Sequence, residues 1–143
     1  MTTSPKELTS TLKEQGYRLT PQRCAVLEVL TSSGKYLTPA EIHGHMKLED
    51  NGIGLATVYR TIDILVALGL VRQIHGKGGV GYVSTRRLEH HHYLICSSCS
   101  AIVDFTECEL EDLEQRLSLE TGFDIEEHFL EVWGLCHECQ SKV

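Results

Sequence analysis

Nowhere does the sequence approach the ~18 consecutive apolar residues of a membrane-spanning helix. Its start, Met1-Thr2-Thr3-Ser4-Pro5, lacks the charged-then-apolar layout of a secretory leader. Both absences lead us to expect a cytoplasmic chain with no membrane partner. An H-E-x-x-H motif is missing, as is a nucleophile triad, which argues against a zinc-dependent hydrolase and against an enzyme generally. Positive charge is scarce too: 13 Lys and Arg against 20 Asp and Glu leave a net charge of -7, unpromising for a nucleic-acid binder. The deficit is local, however. Residues 1–85 carry nine basic and seven acidic side chains, a balance of +2, whereas residues 86–143 carry four and thirteen, a balance of -9. A neutral-to-basic half that faces phosphate and an acidic half that faces cations would produce this split, as would an acidic surface kept for solubility.

With 143 residues and 41% hydrophobic content, the chain can fill one ordinary core or two small ones. The charge step favours two, 1–85 and 86–143. Six cysteines in a reducing compartment point to metal or redox chemistry before structural disulfides, and eight histidines strengthen the metal reading.

The three prolines each follow a hydroxyl residue, as Ser4-Pro5, Thr20-Pro21 and Thr38-Pro39. A capping oxygen before a proline at the first helical position is a helix start. The first helix buries Leu8 and Leu12 and stops at Gly16; the second buries Val26, Leu27 and Leu30 and closes at Gly34. The third begins with a capping box, Thr38 to Glu41, and buries Ile42 and Met46. A fourth runs from about Ala56 to Leu68 with Val58, Ile62 and Leu65 inward and Thr57, Tyr59, Arg60 and Asp63 outward. Two short strands, Leu70–Ile74 and Gly81–Ser84, then flank a glycine-rich loop. Helices followed by such a hairpin predict a winged helix-turn-helix, whose last helix enters the DNA major groove. Arg60 and Tyr59 suit base and phosphate contacts there, although such residues are also ordinary helix surface.

Cys96-Ser97-Ser98-Cys99 and Cys136-His137-Glu138-Cys139 are two C-x-x-C pairs. Each can put two thiolates on one ion, and together they complete a tetrahedral zinc site. A redox motif of the thioredoxin kind competes, but no βαβ pattern surrounds either pair. Cys24 reads as a small core residue, and Cys108 has no partner in view. The run His90-His91-His92-Tyr93-Leu94-Ile95 leads into Cys96 as a strand, so His90 and His92 share one face and His91 and Tyr93 the other. A helix over Glu109 to Thr121, with Leu110, Leu113 and Leu117 on one face and Gly122 as its stop, and a strand from Phe123 to Val132 complete the second half. Histidines with a carboxylate suit zinc, iron, cobalt or nickel, and His128 is a further candidate ligand.

Taken in order, Gly16-Tyr17-Arg18-Leu19-Thr20-Pro21-Gln22-Arg23, Gly54-Leu55-Ala56-Thr57-Val58-Tyr59-Arg60-Thr61, the histidine run into Cys96 and the closing cysteine pair resemble the ferric uptake regulator (Fur) family of bacterial metal-sensing repressors. The resemblance covers essentially the whole chain. It implies an α+β homodimer: an N-terminal winged helix-turn-helix and a C-terminal α/β dimerisation domain with a four-cysteine zinc site. It implies DNA contacts from Arg18, Ala56, Thr57, Tyr59 and Arg60, structural zinc on Cys96, Cys99, Cys136 and Cys139, and a second divalent ion, zinc or iron, on His90, His92, Glu111 and His128. The family's hinge site between domains is depleted here. Its positions hold Tyr36, Ser84 and Tyr93, leaving His91 and Asp104 as a remnant that His75 or Glu89 could supplement. The function so implied is metal-responsive repression of metal uptake or homeostasis genes through a double-stranded DNA operator, with a redox- or peroxide-responsive regulator as the alternative.

Overall fold

The computed structural model describes residues 5–48, 53–76, 79–85 and 90–142. Four helices come first: α1 (Pro5–Glu14), α2 (Pro21–Ser32), α3 (Pro39–Leu48) and α4 (Leu55–Ala67). The hairpin of β1 (Val71–Gly76) and β2 (Gly79–Ser84) follows, then β3 (His92–Cys96), β4 (Ile102–Phe105), α5 (Glu111–Thr121), β5 (Glu131–Gly134) and a short α6 (His137–Gln140).

The helix starts follow their chemistry. Thr20 is extended, and its hydroxyl accepts from the Arg23 N–H at 3.2 Å. Thr38 and Glu41 cap reciprocally: the Thr38 N–H donates to the Glu41 carboxylate at 3.1 Å, and the Glu41 N–H donates to the Thr38 hydroxyl at 3.2 Å. A cap of this kind contributes about 1 kcal/mol. The Ser4 cap lies outside the described residues. Gly122, at φ 75°, ends α5 in the left-handed conformation that glycine adopts without strain.

The apolar stripes of the first four helices are inside, whereas that of α5 is not: Leu113 and Leu117 are 40% and 42% exposed, and α5 buries no residue. Leu8 and Leu12, Val26, Leu27 and Leu30, Ile42 and Met46, and Val58, Ile62 and Leu65 form one buried cluster. This core fixes the outward face of α4. Cys24 is only half-buried.

The hairpin is longer than its hydrophobic pattern suggested, pairing antiparallel from Val71↔Ser84 to Gly76↔Gly79. Leu37 adds a third strand's worth of pairing, exchanging bonds of 3.0 and 2.8 Å with Tyr82. Gly76 and Gly81 are needed here because a Cβ on either would collide with the side chain of Tyr36, which lies across the hairpin.

In the second half the strand order is β4-β3-β5, with β4 antiparallel and β5 parallel to β3. Two expectations need correction. The strand foreseen over Phe123 to Val132 is confined to Glu131–Gly134, and residues 122–130 carry no regular structure. Its parallel register begins at Tyr93↔Glu131, with the Leu130 carbonyl accepting from the Tyr93 N–H at 3.3 Å, and His128, two residues earlier, turns towards the histidine run. The short helix α6, over the second cysteine pair, has no signature in the sequence, because four residues show no periodicity.

One face of this sheet is covered. Tyr93 and Ile95 pack with Tyr36, Ile74 and Val83 in a second core, with Ile102 against it. Residues from both sides of position 85 thus share one apolar cluster. On the other face, Val103, Leu94 and Val132 stand in one row across the three strands, and all three are exposed.

Candidate metal centres and nucleic-acid interface

The first C-x-x-C pair sits at the turn between β3 and β4, and the second at the start of α6. The parallel pairing of β3 with β5 brings them together: the Ser97 N–H donates to the Gly134 carbonyl at 2.8 Å. The four sulfurs of Cys96, Cys99, Cys136 and Cys139 lie within 4.8 Å of one another. Cys99 and Cys136 Sγ are 3.8 Å apart. Sulfurs at ~2.3 Å from a tetrahedral zinc stand about 3.8 Å from each other, so the spacing fits the ion.

The surroundings fit as well. The backbone N–H groups of Cys136 and Cys99 point at Cys96 Sγ, at 3.4 and 3.5 Å, and pull its thiol down to about 6. At Cys139 a contact from Ser98 favours the thiolate, but the crowding sulfur of Cys136, burial, and Cys96 and Cys99 push the thiol up to about 11. Four thiolates side by side need a cation to balance them, and a divalent ion supplies it.

A second group gathers His90, His92, Cys108 and His128, whose ligand atoms also lie within 4.8 Å of one another. His92 opens β3 and His90 precedes it by two residues, so both fall on one side of the extended chain, as expected. Their ring centroids are 4.4 Å apart, and the His128 ring is 4.6 Å from His90 and 5.0 Å from His92. His92 is fully buried, and its Nδ1 has no hydrogen-bond partner among the described residues. Burial, then the His90 and His128 rings, hold its pKa below the usual histidine value, which keeps it in the neutral, metal-binding form.

The expected carboxylate is not in this group. Glu111, the first residue of α5, is exposed, whereas Glu114, three residues on, pairs with His128 Nδ1. Cys108, which the sequence left unassigned, takes the place beside the rings. Nothing in the spacing marks it: only the return of the loop after β4 towards His128 brings it in.

The hinge remnant looks different. His91 Nδ1 and Asp104 Oδ2 lie 3.2 Å apart across the β3–β4 pair. Tyr36, Ser84 and Tyr93 are all buried. Burial raises the Tyr93 hydroxyl above its usual pKa, so it is no anionic ligand at neutral pH. His75 is exposed on β1, and Glu89 lies outside the described residues. A guanidinium occupies this junction: Arg72 of β1 lies 5.2 Å over the Tyr93 ring and 4.7 Å over Phe129, and donates to the His91 carbonyl at 3.3 Å.

In the helical half, α4 presents Ala56, Tyr59 and Arg60 to solvent, with Thr57 half-buried. Tyr59 is 47% exposed. Arg60 lies 3.4 Å from the Thr57 hydroxyl, and both line a concavity of about 450 Å³ together with Asp63 of α4 and Thr20, Gln22 and Arg23 at the start of α2. Arg18 is exposed just before α2, and its carbonyl accepts from the Arg23 guanidinium at 2.8 Å. Arg23, which the sequence marks only as part of a motif, adds a second cation to that concavity.

A winged helix with an exposed arginine and tyrosine on its last helix, joined to clustered thiols and imidazoles, defines a metal-binding, DNA-binding regulator. The family model described as the ferric uptake regulator family matches residues 14–133, and the chain belongs to that family, whose members are transcription regulators and not enzymes. It is similar to the Peroxide operon regulator of Bacillus subtilis, at 36% identity over 96% of this chain and 94% of that one. It is also similar to the Ferric uptake regulation protein of Synechococcus elongatus, at 32% identity over 100% and 99%. Among solved structures, a zinc uptake regulator complexed with zinc and DNA matches with a TM-score of 0.73 at 25% identity, covering 98% of this chain and 97% of that one. No helix among the described residues is long and apolar enough to cross a membrane.

Proposed function

We propose that the chain is a cytoplasmic metal-responsive repressor that binds a near-palindromic, double-stranded DNA operator as a homodimer and controls genes of iron or zinc uptake or homeostasis. Residues 1–85 would supply the DNA contacts, from Arg18, Ala56, Thr57, Tyr59 and Arg60. Residues 86–143 would supply the metal sites and the dimer surface. Zinc on the four cysteines acts as scaffold, and a second divalent ion, zinc or iron, at the histidine group acts as the signal.

The observation that carries this reading is a mechanical one. The run that offers His90 and His92 as ligands also contains His91, whose carbonyl accepts from Arg72 of the wing. Ordering that run therefore bears directly on the half that would hold DNA. Metal strengthens DNA binding only in so far as it binds the DNA-competent arrangement more tightly. The exposed row of Leu94, Val103 and Val132 supports the dimer, since apolar side chains aligned on a sheet mark a surface that is covered in the assembly. Similarity to a peroxide operon regulator supports a peroxide-responsive variant of the same reading, but the buried Tyr36 and Tyr93 at the hinge positions favour the metal-responsive one.

Selection from a randomised pool of duplex DNA tests the proposal. The protein is used with its tightly held zinc alone, then with added zinc, iron, manganese or nickel. Enrichment of a two-fold-symmetric site only with added metal is the expected result. Equal enrichment without added metal would overturn metal responsiveness, and no enrichment under any condition would overturn the operator.

A further inference from the structure

The histidine group holds a thiol that neither the chain's sequence pattern nor its relatives' names assign. We propose that the second metal site is a three-nitrogen, one-sulfur tetrahedron in which Cys108 is the fourth ligand in place of Glu111, and that Glu114 positions His128 for it. The proposal rests on the reading of the histidine group as a metal site, and concerns which atoms complete it.

Distances carry the argument. His128 Nε2 is 3.3 Å from His92 Nε2 and 3.2 Å from Cys108 Sγ. Around a tetrahedral zinc, two imidazole nitrogens stand about 3.3 Å apart, and a nitrogen and a sulfur about 3.5 Å apart. The three atoms thus already mark edges of a coordination tetrahedron, with the His90 ring against both other rings to supply the last corner. A carboxylate enters differently. Glu114 contacts His128 at Nδ1, not Nε2. An imidazole that donates Nδ1–H to a carboxylate has its tautomer fixed, turns Nε2 to the metal and becomes a better donor. Glu114 is therefore a positioning residue, and Glu111, exposed at the first position of α5, has no part in either layer.

The ligand change decides the metal. A thiolate is a soft donor that favours zinc over manganese and iron(II), where an all nitrogen and oxygen set discriminates less. It also leaves the site with a thiol that alkylating reagents attack when the metal is absent and that the metal shields when bound.

Cobalt(II) tests this, titrated into the full-length protein after a weak chelator has removed labile metal while leaving zinc on the four cysteines. The wild type should develop tetrahedral cobalt bands together with a sulfur-to-cobalt charge-transfer band. C108S should lose the charge-transfer band and bind at least ~10-fold more weakly, while E111Q keeps both band and affinity. E114Q should keep the band with affinity lowered about 10- to 100-fold, as for other outer partners of ligating histidines. Zinc, and not manganese, should displace the cobalt. A charge-transfer band that survives in C108S, or loss of binding in E111Q, would overturn the proposal. Should C108S fail to fold, the wild type still decides it: zinc should slow alkylation of Cys108 by N-ethylmaleimide, followed by mass spectrometry, and an unchanged rate would overturn the assignment. These readouts do not involve DNA, so Cys108 could fail as a ligand while metal-dependent operator binding stands.

Discussion

Cys136→Ser is expected to strip the chain of its tightly held zinc and to unravel the end of the second half. Cys136 stands at the N-cap position of α6, its N–H donates to Cys96 Sγ, and its own sulfur lies 3.8 Å from Cys99 Sγ. A serine hydroxyl does not ionise at neutral pH and cannot replace a thiolate on zinc. Without the ion, three thiols remain crowded together, and β5 and α6 are held by four residue pairs of parallel sheet, the Ser97 bonds to the Gly134 carbonyl and the edge-on contact of Trp133 with Tyr36. Structural zinc contributes ~10–16 kcal/mol to the folding of small zinc domains. The loss should therefore exceed that of a core truncation in the helical half, about 2–5 kcal/mol for a buried leucine to alanine. Metal analysis and thermal unfolding of the purified variant check this, with Cys24→Ser as the control that retains full zinc. A Cys136→Ser protein with normal zinc and an unchanged melting temperature would refute the scaffold role.

Arg60→Ala is expected to weaken binding to the selected operator by about 1–3 kcal/mol, or roughly 5- to 150-fold, and to relax preference at the base it reads. The arginine is exposed, so its removal should leave stability within ~0.5 kcal/mol and zinc content untouched. Direction matters here as much as size. A bidentate arginine-to-base contact shows as lost discrimination between operator and random duplex, whereas a phosphate contact weakens both alike and lowers the salt dependence. Fluorescence anisotropy with both duplexes at two salt concentrations separates these outcomes. Undiminished affinity for both duplexes would mean that α4 is not the helix that enters the groove.

The helical half was legible because its signals are local. A capping box is written within four residues, and Thr38 with Glu41 forms it as the sequence says. A stripe such as Val58, Ile62 and Leu65 is written within two turns, and it is buried. The four-cysteine group was legible too, since two pairs of closely spaced thiols have few other uses, even though 36 residues separate Cys99 from Cys136. The alternation of His90 and His92 followed from strand geometry alone.

What escaped depends on distant chain. Whether Cys108 or Glu111 faces His128 is settled by how the loop after β4 and the first turn of α5 are laid down, which no period records. The strand before Glu131 is shorter than its pattern because alternating residues such as Phe129 resemble a strand until a partner is sought, and β3 reaches back only to the Leu130 carbonyl. The junction between the halves was read by what it lacks, a full ligand set. Its actual content, Tyr36 wedged over Gly76 and Gly81 and Arg72 stacked on Tyr93 and Phe129, arises from tertiary packing.

The central claim is that metal at the histidine group and DNA at α4 act on one equilibrium, through the run from His90 to His92 and its contact with the wing. Coupling of this kind is reciprocal. The decisive measurement is the zinc affinity of that group, by competition with a chromophoric chelator, with and without saturating operator duplex. The account predicts that operator tightens zinc by the same factor by which zinc tightens operator, on the order of 5- to 150-fold; an identical zinc affinity in the two conditions would contradict it.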